Sequence, residues 1–344
     1  MTELIVTNFN RNFTGVSATA AAVARTQAAQ FDMVLAGQPL PGCPDPVSPA
    51  AAMRLSRTPA PGRPFVIWHV RRNPEMRAAL WARDVLRLPV RIVFTSAALR
   101  RHSALPRWLI SRMDAVIATT ERAAGHVPHV RAVVPHGVDT ARFFPARDRT
   151  AAWADTGFPG TAGLATVGRV RPEKGTDRFI DAMIALLPYH PGLTALVIGR
   201  AARGDAAFLS TLKSRVAAAG LSGRILFPGE MAPDALPALM RALSAVVQLP
   251  RYEGYGMAPL EGMASGVPFV ATDQGYYRSF AGQGACGVIT EGNGAAAALH
   301  DLLCDTRRHT AMSRAARERA EANFSVALEA DGIAAVYDRL WSDG

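Results

Sequence analysis

Short apolar runs alternate with segments of helical period along the whole chain. In the first half, runs at residues 4–7, 65–69, 92–95, 115–118 and 132–134 predict strands. In the second half the corresponding runs are 163–167, 195–198, 225–227, 245–248 and 269–271. Between them, segments such as 176–187, 206–219, 235–243 and 295–303 place apolar residues at helical spacing. Alternating strand and helix builds parallel sheets with helices on both faces. Two such sets in 344 residues predict an α/β chain of two Rossmann-like domains. Ligands would then sit outside the carboxyl ends of the strands, in a cleft between the domains.

The polar, Pro- and Gly-broken stretch 144–160 is the expected boundary, dividing the chain into domains 1–148 and 149–325. Residues 39–64, rich in Pro, Ala and Arg, predict a long loop with one short helix. The tail repeats apolar positions at Leu328, Ile333, Val336, Tyr337 and Leu340. It predicts an amphipathic helix, and 326–344 is assigned to the first domain on the family precedent given below.

Composition narrows the class. An apolar fraction of 49% with 19% charged residues suits a compact globular protein. Cys43, Cys286 and Cys304 are scattered, offer neither a disulfide framework nor a C-x-x-C metal site, and fit a reducing cytoplasm. The first residues, Met1 to Asn8, read as a strand and not as a signal peptide. No apolar stretch reaches the roughly 18 residues of a membrane-spanning helix. The net charge of +10 is uneven: residues 1–145 hold 18 basic and 8 acidic side chains, residues 146–344 hold 20 of each. The first half is therefore expected to meet an anion, such as a phosphorylated lipid, an acidic saccharide or a nucleic acid; a solubilising surface is the plain alternative.

The densest candidate chemistry is the run Arg251-Tyr252-Glu253-Gly254-Tyr255-Gly256-Met257-Ala258-Pro259-Leu260-Glu261. It leaves a predicted strand and opens a helix-like segment. Gly254 and Gly256 permit a sharp turn that presents unpaired amides at the helix start. Such an end attracts phosphate. Glu253 precedes that anion site, and Glu261 lies about one and a half helical turns beyond it. A phosphate at the turn, with hydroxyl-bearing groups within reach of each carboxylate, describes a sugar nucleotide. Two solvated glutamates at an ordinary corner are the alternative. Upstream, the strand ending at Val167 runs into Gly168-Arg169-Val170-Arg171-Pro172-Glu173-Lys174-Gly175, which offers two cations beside a glycine turn. Fixed cations of this kind stabilise charge developing on a leaving diphosphate.

These two elements, in this order, resemble the G-R-x-x-x-x-K-G and E-x7-E signatures of the retaining GT-B glycosyltransferases of family 4. Further segments agree in order: Pro135-His136-Gly137-Val138-Asp139 with Phe143 and Pro145, Leu196-Val197-Ile198-Gly199, and Ile225-Leu226-Phe227-Pro228-Gly229. The resemblance implies a GT-B fold and a last helix crossing back to the first domain. It implies that Arg169 and Lys174, with Gly168 and the amides around Gly254, Tyr255, Gly256, Met257 and Ala258, hold the donor diphosphate. Glu261 would bind the ribose, Glu253 the donor sugar, and His69 would orient that sugar. Gly15, in Thr14-Gly15-Val16-Ser17 after the first strand, would lie close to the donor phosphates or the acceptor. A plain strand-to-helix turn and a structural histidine are the alternatives for Gly15 and His69.

A closer similarity, through F-T-G-V-S-A-T, W-H-V-R-R-N-x-E-M, F-T-S-A-A-x-R-R-H, R-W-L-I-x-R-M-D-A-V-I-A-T and R-Y-E-G-Y-G, is to the lipopolysaccharide core mannosyltransferases of alpha-proteobacteria. It implies mannose transfer from GDP-mannose to the Kdo-containing inner core of a lipid A precursor. An anionic lipid-linked acceptor would account for the basic first half. The chain departs from the family's G-G-x-x-E element, having Gly275-Tyr276-Tyr277-Arg278-Ser279. It has no D-x-D motif, so no metal is expected in catalysis and no other cofactor is implied. Residues 98–112 mix arginines with Trp108, Leu109 and Ile110. They could touch an anionic inner-membrane surface from the cytoplasm, or form an ordinary helix interrupted by Pro106 that buries Trp108, Leu109 and Met113. Other readings remain at this stage: another sugar nucleotide or acceptor, a GT-B-fold sugar-nucleotide epimerase, and a basic nucleic-acid-binding protein. No nucleic-acid-binding motif supports the last.

Overall fold

The computed structural model describes residues 1–12 and 14–343; Phe13 of the F-T-G-V-S-A-T motif and Gly344 lie outside the described residues. The chain forms two compact units, Met1–Gly137 with Phe324–Gly344, and Val138–Asn323.

The first unit is built on six parallel strands, β1 (Leu4–Asn8), β2 (Met33–Gly37), β3 (Val66–Val70), β4 (Val90–Ser96), β5 (Ala115–Ala118) and β6 (Val130–Val133), in the order β2-β1-β3-β4-β5-β6. The second holds β7 (Ala162–Val167), β8 (Leu193–Ile198), β9 (Ile225–Gly229), β10 (Leu243–Gln248), β11 (Phe269–Ala271) and β12 (Gly287–Ile289), also parallel, in the order β12-β11-β10-β7-β8-β9. The central strands β1, β3, β8 and β11 are buried along their full length. Both faces of these sheets are covered by helices, and such strands read as unbroken apolar runs. The two strands that the hydrophobic pattern does not predict, β2 and β12, are both at sheet edges and only partly buried.

Strand order reverses once in each sheet, beside β1 in the first and between β7 and β10 in the second. Loops leaving the carboxyl ends on either side of a reversal diverge and leave a crevice, where ligands of open α/β sheets bind.

Three sequence expectations change. The division falls at Gly137/Val138 and not within 144–160. Residues Arg149–Ala154 form a helix capped by Asp148, and Trp153 packs against Gly163 of β7, so this stretch belongs to the second unit. With the boundary so placed, the first unit carries 18 basic and 11 acidic side chains (+7), the second 20 and 17 (+3). The asymmetry is weaker than in the linear sequence because the returning segment 324–344 brings four carboxylates to the first unit. Pro106 does not interrupt its helix. It sits in the first turn of Ala104–Ser111, where no intrahelical N–H is needed. That helix buries Leu109 and Ile110 but leaves Trp108 56% exposed.

The tail is the helix Val326–Ser342, capped by Ser325. Its Ile333, Val336, Tyr337, Leu340 and Trp341 join the core formed by Leu4, Val6, Ile67 and Ile117. Buried Glu329 fixes its start: one carboxylate oxygen is 2.7 Å from His136 Nδ1, and the other accepts the Gly137 N–H at 2.7 Å. His136 and Gly137 of the Pro-His-Gly-Val-Asp run thus clamp the C-terminal helix. No helix among the described residues is long and apolar enough to cross a membrane.

Candidate active site

The site in the second unit is made by the loops that follow β7 and β10, the two strands flanking the reversal. After β7, Gly168 adopts φ 149°, and Pro172–Lys174 form a single 3-10 turn. Gly175 ends that turn at φ 68°, and a Cβ there would collide with the Leu249 carbonyl. Glycine is therefore required for the turn to lie against the end of β10. The two loops are sewn together by Arg251. Its guanidinium pairs with both oxygens of Asp177, at 2.8 and 2.6 Å, and reaches the Pro172 carbonyl at 2.6 Å. The Arg251 and Tyr252 amides donate to the Glu173 carbonyl.

This lacing brings Lys174 Nζ to 2.5 Å from Glu253 Oε2. The other Glu253 oxygen accepts the Gly254 amide at 3.1 Å. Tyr277 completes the group. Its hydroxyl is hydrogen-bonded to Glu253, and burial together with that carboxylate pushes its pKa well above the usual phenol range. Tyr277 therefore stays protonated and donates. Gly256 stands over its ring at φ 95°, where any Cβ would strike the aromatic carbons.

Gly256 is the N-cap of the helix Met257–Ala264 and offers no side chain to cap it. Among the described residues the Met257 and Ala258 amides in its first turn have no backbone partner, and they are the donors that an anion needs. Glu261 lies on the same helix. Burial, offset in part by Arg142, pushes its carboxyl up to about 7. Arg169 is exposed and unpaired among the described residues. Tyr255 is buried and stacks on Tyr276, and its carbonyl accepts the Tyr276 amide.

Of the residues expected from the sequence, Gly168, Arg169, Lys174, Glu253, Gly254, Tyr255, Gly256, Met257, Ala258 and Glu261 belong to the second unit, Gly15 and His69 to the first. His69 requires a correction. It is fully buried in β3, with Nδ1 2.5 Å from the Tyr337 hydroxyl and Nε2 2.7 Å from Thr95 Oγ1. Burial, with Arg71 and His136 nearby, holds its pKa well below the usual imidazole range. Both ring nitrogens are engaged, so His69 is a core residue joining β3, β4 and the last helix. Gly15 opens the helix Gly15–Gln27, and a Cβ there meets no atom within 4 Å, so packing does not demand glycine.

Sequence reasoning gave no site role to Arg251, Asp177 or Tyr277. The Asp177 signal was present in Lys174-Gly175-Thr176-Asp177, one helical turn after the lysine. In the first unit it missed a polar cluster at the reversal beside β1. Arg72 donates there to Asn8 Oδ1, Glu75 Oε1, Thr14 Oγ1 and Ser17 Oγ, at 2.9 to 3.2 Å. Arg71 beside it keeps Nη1 buried without a hydrogen-bond partner among the described residues.

Residues 155–319 match the model of the family described as glycosyl transferases group 1. The chain is 43% identical to the lipopolysaccharide core biosynthesis mannosyltransferase LpsB of Rhizobium meliloti strain 1021, over 98% of this chain and 97% of that one. It is 40% identical to LpcC, of the same description, from Rhizobium leguminosarum bv. viciae, over 99% and 97%. Among solved structures, Anabaena Alr3699/HepE in complex with UDP and glucose superposes with a TM-score of 0.83 at 17% identity, over 98% of this chain and 100% of that one. That likeness shows the GT-B fold. Near full-length identity above 40% with one relative shows more: the chain is a glycosyltransferase, and it belongs to the family of group 1 glycosyl transferases that includes LpsB and LpcC.

Proposed function

We propose that this enzyme transfers mannose from GDP-mannose to the Kdo-containing inner core of a lipopolysaccharide precursor, with retention at the anomeric carbon. The observation that carries the reading is the Lys174–Glu253 pair beside the uncapped helix at Gly256, which sets a cation and a carboxylate next to amides suited to an anion. Its mannosyl specificity rests on the descriptions of LpsB and LpcC.

In this reading Arg169, Lys174 and the amides of Met257 and Ala258 hold the diphosphate, Glu253 takes sugar hydroxyls, and Glu261 takes the ribose hydroxyls. The acceptor hydroxyl oxygen bonds to the anomeric carbon from the face that the diphosphate leaves. The carbon–oxygen bond to the β-phosphate breaks, a phosphate oxygen takes the acceptor proton, and the products are GDP and the mannoside. No metal is assigned a part. Tyr277 keeps Glu253 aimed. In the first unit, Arg71, whose Nη1 has no hydrogen-bond partner among the described residues, would meet the acceptor's acidic groups, with Arg72 adding positive charge beside it.

Incubation with radiolabelled GDP-mannose and a Kdo-lipid A acceptor tests this. Label is expected in the lipid, with GDP released in equal amount. Turnover of the donor without an acceptor would instead indicate an epimerase, and transfer only from another sugar nucleotide would remove the GDP-mannose assignment.

Glu261 gives the reading a pH signature. An ionised carboxylate accepts from both ribose hydroxyls, whereas the protonated form loses acceptor capacity. With its pKa at about 7, donor kcat/KM should rise as pH climbs through that value. Glu261→Gln should raise the donor KM and flatten that step. A step unchanged in the variant would assign it to another group.

A peripheral membrane contact, on the cytoplasmic face, belongs to the same proposal. Leu105 and Trp108 are more than half exposed on Ala104–Ser111. The helix Asn73–Leu80 packs on it and continues into Trp81–Val85, which exposes Trp81 and Val85. Apolar side chains with Arg107 and Arg112 around them suit an anionic interface. Trp108→Ser should weaken binding to phosphatidylglycerol vesicles by about tenfold, the worth of one withdrawn large apolar side chain. Transfer to a detergent-dispersed acceptor should be unchanged. Equal vesicle binding by both proteins would remove this surface.

A further inference from the structure

A cluster of metal-ligating side chains lies in the second unit, away from the donor site. The helix Ala295–Cys304 carries His300 and Cys304 one turn apart, which puts both on one face. His190 stands opposite them, in the segment between Leu187–Tyr189 and β8. His190 Nε2 is 3.0 Å from His300 Nδ1, and Cys304 Sγ is 3.7 Å from His300 Nε2 and 4.0 Å from its Nδ1. One donor atom from each residue lies within 4.8 Å of the others. Every strand of this sheet runs the same way. His190 precedes β8 while Lys174 and Glu253 follow β7 and β10, so the cluster lies at the amino-terminal edge and the donor site at the opposite one.

We propose that His190, His300 and Cys304 bind a divalent transition-metal ion of the zinc class, with water as fourth ligand. Two imidazoles and a thiolate are the donor set such an ion prefers, and three protein ligands leave one position open. Tetrahedral coordination, at about 2.0–2.1 Å to nitrogen and about 2.3 Å to sulfur, separates ligand atoms by about 3.3–3.6 Å. The observed spacings bracket that range, so side-chain rotations suffice to close the site.

The surroundings hold the ligands in place. Arg224 donates to the carbonyls of Leu187, His190 and Leu193 and so fixes the backbone that presents His190. The Tyr189 ring meets His300 edge to face. A supported backbone and an oriented ring mark a preorganised ligand set. Cys304 is exposed, whereas Cys286 is buried and Cys43 partly so. A bound ion would join the helix Ala295–Cys304 to the segment entering β8.

The test is a cobalt titration of the reduced, tag-free full chain. The expected result is a thiolate-to-cobalt charge-transfer band with the intense visible bands of a tetrahedral centre, both abolished by one equivalent of zinc. Cys304→Ser should remove the charge-transfer band. His300→Ala and His190→Ala should each weaken binding at least about tenfold, since even outer-shell changes reach that size. Cys286→Ser should keep the full spectrum. All ligand substitutions except that of His190 fall at exposed positions, and circular dichroism checks that each variant folds. A spectrum lacking the charge-transfer band, or one that survives Cys304→Ser, would overturn the assignment.

Discussion

Lys174→Ala is expected to lower kcat/KM by about 10²–10³, with the melting temperature nearly unchanged. Removing one preorganised donor from developing transition-state charge has an effect of that size. Lys174 is placed for this at the end of a turn that Gly175 and Arg251 lock against β10, where it meets Glu253. It closes no core and is partly exposed, so its loss leaves the fold intact. The variant also leaves Glu253 with Tyr277 and the Gly254 amide as its partners among the described residues. A loss confined to the donor KM would mean that Lys174 grips ground state and transition state alike. Turnover within about threefold of the wild type would remove Lys174 from the reaction.

Gly137→Ala is expected to lower stability by about 3 kcal/mol, through overpacking against rigid backbone. A Cβ at this position would collide with the Ser325 carbonyl and come within 2.7 Å of Val326 Cα. Both neighbours are main chain, at the capped start of the last helix, and cannot rotate aside. Relief requires that helix to shift, which stretches the Glu329 bonds to His136 and to the Gly137 amide. It also disturbs the packing of Tyr337 and Trp341 on the first sheet. A melting temperature several degrees lower should accompany exposure of Trp341, read as a red shift in fluorescence. A variant that melts with the wild type would show that the Gly137 clamp does not hold the helix.

These two positions also show what a sequence reveals and what it withholds. The strand–helix alternation, ten of the twelve strands and the last helix were legible, because fully covered parallel strands leave apolar runs that need no tertiary information. The edge strands β2 and β12 leave weaker runs. The residues around Lys174 and Glu253 were legible as motifs, since turn glycines and charges fall close together in the chain. Their lacing by Arg251 and Asp177 joins residues 74 positions apart and has no local signature. His69 was misread for the same reason: the residue that closes it in, Tyr337, lies 268 positions away. The loop Gly275 to Ser279 looked like a departure from the family pattern. In the fold, Gly275 sits at φ 58° against the Tyr255 carbonyl, and the loop delivers Tyr277 beneath Glu253. The His136-Gly137 pair was legible as a match, but its task appeared only with Glu329 in place.

Calorimetric titration of the purified enzyme with GDP-mannose bears most directly on the claim that the second unit grips a sugar nucleotide through its diphosphate. The account predicts saturable heat with the wild type, and affinity at least about tenfold weaker in Lys174→Ala, the loss of one charge-assisted contact. No heat with GDP-mannose or with any of a panel of sugar nucleotides, or equal affinity in the two proteins, would contradict it.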